Sequence, residues 1–129
     1  MKITRFEDIE TRQEARKLVK LVYEVIGKSR EFKRDFRLIN QVQDAAVSSM
    51  SNISEGFSRK GNKEFIRFLF ISKSSAAEVQ SHFYLAIDQG YVNQEDFNRV
   101  YDQAEIVSKL DSGFIKYLNS RPKQLNKHK

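Results

Sequence analysis

Residues 56–63, reading GFSRKGNK, come close to a phosphate-binding loop, in which backbone N–H groups and a lysine ammonium cradle an anion. Asn62 stands where that loop needs its lysine, and helix-like sequence precedes Gly56 where a strand is required. Gly56 and Gly61 are better explained as a left-handed helix cap and a tight helix connection. Glu78 and His82 stand four apart, so one helix face carries a carboxylate beside an imidazole. Metal centres in helical bundles use a Glu-x-x-His pair with several further carboxylates, and the other histidine, His128, is far away in sequence. No Gly-x-Ser-x-Gly elbow is present to activate a serine, and the lack of Cys removes thiolate nucleophiles and thiolate ligands. The expectation is no enzyme, no metal, no cofactor and no small-molecule substrate.

Two other kinds of polar residue need an account. Asn52, Glu55, Glu64, Ser75 and Glu78 fall where two long helices should meet. Buried polar atoms must find partners, so these residues predict a network that fixes helix register and the tight loop, with a ligand-facing role as the alternative. The cations are also grouped. Arg12, Arg16 and Lys20 follow one another at four-residue spacing on a single helix face; such neighbours repel mildly unless they face water or an anion. Arg59, Lys60, Lys63 and Arg67 make a second basic corner, and Arg121, Lys123, Lys127 and Lys129 a third group at the C-terminus. Of the net charge of +6, residues 1–30 carry +3 and residues 121–129 carry +4, whereas residues 91–120 carry −2.

The elements that must position these groups are helices. One Pro and five Gly in 129 residues argue against an all-β fold with many tight turns, and 40% apolar residues suffice for one core. Apolar residues recurring three and four apart predict helices over about residues 7–28, 38–55, 63–89 and from about 94 to 118. Gly56 is expected to close the second, Asn62 to cap the third, Gly90 to end it, and Asn93 to cap the fourth. The second is rich in small residues around Ala46, which predicts close packing on two sides, tighter than at Ala15 in the narrow stripe of the first. Residues 30–37 read as a polar link. The expected fold is all-α, an antiparallel up-down-up-down four-helix bundle over residues 1–120, followed by a basic mobile tail over residues 121–129. No run is long and apolar enough to span a membrane, so a cytoplasmic protein is expected.

The third helix carries an apolar arc too wide for one interior. Ile66, Phe70 and Tyr84 are therefore candidates for an interface with another copy of the chain.

The core Ala45-Ala46-Val47-Ser48, Ser51-Asn52-Ile53 with Glu55-Gly56, Glu64-Phe65 with Phe68-Leu69, then Ser75 and Glu78, preceded by Phe6-Glu7-Asp8-Ile9, resembles a known bacterial family. It is similar to the four-helix-bundle proteins encoded by intervening sequences of 23S ribosomal RNA genes, also called S23 ribosomal proteins. The resemblance spans about residues 6–118. It implies a homopentamer with a suspected role in binding RNA or DNA, and it marks Ser48, Asn52, Glu55, Gly56, Glu64, Ser75 and Glu78 as structural signature positions. Related bundles serve as accessory proteins of diversity-generating reverse transcriptases. Gln43 and Asp44 stand where the family commonly has basic residues. The expected function is a self-associating, non-enzymatic bundle that binds nucleic acid weakly and with little specificity; a protein-interaction scaffold without nucleic acid is the alternative.

Overall fold

The computed structural model describes residues 9–120. Helix accounts for 88% of them, and no strand occurs among the described residues. There are five helices: α1 (Glu10–Gly27), α2 (Arg30–Arg34), α3 (Phe36–Phe57), α4 (Asn62–Asp88) and α5 (Gln94–Ser120). α1 packs against α3 and α5, while α4 packs against the other sides of α3 and α5. The core between them takes Leu18 and Val22 from α1, Val42 and Ala46 from α3, Leu69 and Val79 from α4, and Val100 and Val107 from α5, each with no exposed surface. The C-terminal group Arg121, Lys123, Lys127 and Lys129 lies outside the described residues.

The polar link expected over residues 30–37 holds an extra helix, so the count of four is corrected to four long helices and one short one. α2 is only five residues long, too short and too charged for an apolar period to mark it. Caps make it. Ser29 Oγ accepts the N–H of Phe32 at 3.1 Å, and Asp35 Oδ1 accepts the N–H of Leu38 at 3.1 Å, so Asp35 closes α2 and opens α3. Phe32 is buried between the edge of Phe83 and the face of Tyr91, whose hydroxyl donates to Asp35 Oδ2 at 3.0 Å.

Two further expectations are corrected. Gly56 is not a left-handed cap; it lies inside α3, and the only glycines with positive φ among the described residues are Gly61 and Gly90. A Cβ on Gly56 would meet Phe65 Cδ1 at 2.8 Å and Phe68 Cβ at 2.9 Å, so the residue is small because α4 passes against it. The turn is made instead at Gly61 (φ 91°), which takes the N-cap position of α4 that Asn62 was expected to hold; Asn62 donates to the Leu118 carbonyl at 3.1 Å. Ala15 of α1 and Ala46 of α3 are both fully buried.

The next connection follows the sequence closely. Gly90 (φ 75°) donates to the Ile87 carbonyl and Tyr91 to the Ala86 carbonyl, the paired bonds of a Schellman closure. Asn93 Oδ1 then accepts the N–H of Asp96 at 2.7 Å and caps α5.

Candidate functional site

The basic face of α1 forms one open surface. Arg12, Gln13, Arg16, Lys17 and Lys20 line one open depression of about 680 Å³. Glu14 answers one cation of this face and also reaches α5. Its carboxylate accepts from Gln103 of α5 at 2.9 Å and from Lys17 at 3.0 Å, and these bonds hold its pKa below the ordinary value. Arg16 and Lys20 make no ion pair among the described residues.

The second basic corner is more compensated than its sequence suggests. Arg59, in the turn after α3, pairs with Glu55, and Arg67 lies 3.5 Å from Glu64 on α4. The guanidinium carbons of Arg59 and Arg67 also stand 5.1 and 4.7 Å from the centre of the Phe68 ring, in cation–π range. Only Lys60 and Lys63 are left without an ion pair here among the described residues.

The polar group expected between α3 and α4 forms in part. Ser48 and Ser75 hydroxyls meet at 2.8 Å, and Asn52 Nδ2 donates to the Ser48 hydroxyl and carbonyl, each at 2.9 Å. Glu55, Glu64 and Glu78 do not join them; all three are exposed, and each faces a cation or imidazole three or four residues further along the chain. His82 Nε2 lies 3.5 Å from Glu78 Oε2, yet neither ring nitrogen makes a hydrogen bond. No group of three metal-ligating side chains occurs among the described residues.

Sequence reading passed over a second polar chain, deeper in the core. Asp111 has no exposed surface, and its Oδ2 lies 2.7 Å from Ser72 Oγ, which is 2.8 Å from the Ser49 carbonyl. Asp111 Oδ1 has no hydrogen-bond partner among the described residues. Burial pushes the carboxyl up to about 7, against smaller opposing effects of the Ser72 bond and Lys73. The available signal was an acid within the apolar period of α5, four residues beyond Val107 and four before Ile115.

The candidate interface residues are spread over α4. Phe70 and Tyr84 are 53% and 52% exposed, but Ile66 is half-buried against the core. Tyr84 also packs on Phe97 and Tyr101 of α5, with ring centres 5.1 and 5.9 Å away. No described helix is long and apolar enough to cross a membrane.

Comparison with known proteins adds the relatives. Among curated proteins none matches. A crystal structure of a protein of unknown function from the S23 ribosomal protein family of Bacteroides thetaiotaomicron superposes with a TM-score of 0.74 at 19% identity, over 82% of this chain and 98% of that one. That likeness shows a shared fold. A family profile described as 23S rRNA-intervening sequence protein matches residues 7–113. The chain belongs to the family of 23S rRNA-intervening sequence proteins.

Proposed function

We propose that this protein is a non-enzymatic, self-associating antiparallel four-helix bundle that binds RNA or DNA weakly and with low specificity through basic surfaces. The up-down-up-down topology is supported by contacts that run in opposite senses along each pair. Ser49 meets Ser72 while Gly56 meets Phe65; Asn62 meets Leu118 while Tyr84 meets Phe97; Glu14 meets Gln103 while Lys28 meets Asp96. α2 is then a capped turn in the first connection rather than a fifth member of the bundle.

The observation that carries nucleic-acid binding is the cation-lined depression on α1, where Arg16 and Lys20 have no carboxylate partner among the described residues. A phosphate backbone supplies closely spaced negative charge without requiring a shaped pocket. Arg12 lines the same wall, and Lys60 and Lys63 at the α3–α4 turn give a secondary contact. Self-association is supported by Phe70 and Leu85, half-exposed on one side of α4. Family resemblance suggests five copies, and a closed ring is a permitted symmetry. Cytoplasmic placement fits the same reading.

The test is binding of labelled RNA and duplex DNA as salt is raised. Charge reversal at Arg12, Arg16 and Lys20 should weaken binding uniformly across sequences and flatten its salt dependence. No binding at ~50 mM salt, where attraction to phosphate is strong, would replace this reading with that of a protein-interaction scaffold.

A further inference from the structure

Phe36 is the most exposed large apolar side chain among the described residues, at 72%. It opens α3 directly after Asp35, and the cations Arg30, Lys33, Arg34 and Arg37 surround it in sequence, all exposed. No side chain of these four makes an ion pair or hydrogen bond among the described residues, whereas Lys17, Lys28, Arg59, Arg67 and Arg99 all face carboxylates. Of the two acids in the same segment, Asp35 is committed to the Leu38 N–H and the Tyr91 hydroxyl, which leaves exposed Glu31.

The ring is also held on a fixed base. Ser29 and Asp35 cap the two helices that meet here, and Phe32, four residues earlier, is locked between Phe83 and Tyr91. An aromatic ring on a rigid turn loses little freedom when something stacks on it.

We propose that Phe36 is a stacking platform for an unpaired base of single-stranded nucleic acid, with Lys33, Arg34 and Arg37 holding the flanking phosphates. The inference rests on the nucleic-acid reading above and deepens it, using a surface apart from α1 and the α3–α4 turn. Single-stranded sites combine a cationic track with aromatic faces on which bases stack, and stacking tolerates any base. A membrane surface fits less well, because an interfacial helix needs a continuous apolar face, and exposed Arg37, Asn40 and Gln41 follow this lone ring. A second copy docked symmetrically here would set like charge against like charge.

The test measures fluorescence anisotropy of a labelled pyrimidine single strand about a dozen nucleotides long, and of its duplex, with the full chain. Phe36→Ala should weaken single-strand binding about 5- to 150-fold at fixed salt, leave the salt slope and duplex binding unchanged, and be rescued by Phe36→Trp. Removing Lys33, Arg34 and Arg37 together should instead reduce the slope by about 2. Unchanged single-strand affinity in Phe36→Ala, or binding of duplex alone, overturns the platform and leaves the broader nucleic-acid reading standing. Loss of self-association, or of binding to phosphatidylserine vesicles, in Phe36→Ala while oligonucleotide affinity is kept also overturns it. Absence of any nucleic-acid binding at ~50 mM salt overturns this proposal and the broader reading together.

Discussion

A hydroxyl carries one proton, yet Ser72 Oγ lies within hydrogen-bond distance of two acceptors, the Ser49 carbonyl and Asp111 Oδ2. If Asp111 is ionised, Ser72 can satisfy one of them and leaves the other facing a lone pair. If Asp111 is neutral, its own O–H donates to Ser72 and Ser72 donates to Ser49, so every short contact has a proton. Burial raises the pKa to about 7, and the neutral form it favours is also the one in which every short contact has a proton. Because the folded pKa is raised above the usual 3.8, the stabilisation is fully present below about pH 4 and is lost as pH rises through 7. Unfolding in urea should show the native state weakening between pH 5 and pH 8, by on the order of 3 kcal/mol at most. Asp111→Asn keeps a donor for Ser72 and cannot ionise, so it should flatten that decline; an equally steep decline in this variant would refute the assignment. Below pH 4 a different loss begins, because Asp96 is held below its ordinary pKa by Lys28 and Arg99 and gives up those bonds on protonation.

At the scale of elements, α4 passes so close to α3 at Gly56 that no side chain fits between them without a shift. Phe65 and Phe68 occupy the space where a side chain would begin, and Phe65 joins Phe57 and Phe114 in an aromatic group at that end of the helices. Gly56→Ala should therefore destabilise by about 1–3 kcal/mol through overpacking, although alanine alone favours helix by up to about 1 kcal/mol over glycine. A variant that melts at or above the parent temperature would show that α4 can shift away at no cost. This position also shows where the sequence stopped being readable. A glycine at the end of an apolar period serves equally well as a cap or as a close contact, and only the partner helix decides; Gly90 was legible because the period ended there and Asn93 opened the next helix. α2 was hidden because its two caps, Ser29 and Asp35, lie within a charged segment without apolar periodicity. The Ser48, Asn52 and Ser75 cluster was legible in part, since small polar residues inside an apolar helix must pair. The acids around it misled because exposed carboxylates are satisfied by water and by neighbours close in the chain.

At the scale of the whole molecule, α4 presents Phe70 and Leu85 with Ser74, Ala77 and Ser81 exposed between them, so a partner could approach its backbone closely along that side. Ile71, at 36% exposure, extends the apolar surface, whereas Tyr84 already spends one side of its ring on Phe97 and Tyr101. Exposed apolar groups that recur along a helix are a liability on an isolated monomer and an asset in an assembly. Light scattering at micromolar concentration should give a multiple of the 15.1 kDa chain mass, about fivefold for the ring that family resemblance suggests. Phe70→Glu with Leu85→Glu should drive the mass toward one chain and leave helix content intact, because neither side chain lies in the core. A parent protein of 15.1 kDa would remove self-association from the proposed function, and a parent assembly that survives both charges would move the interface off this side of α4.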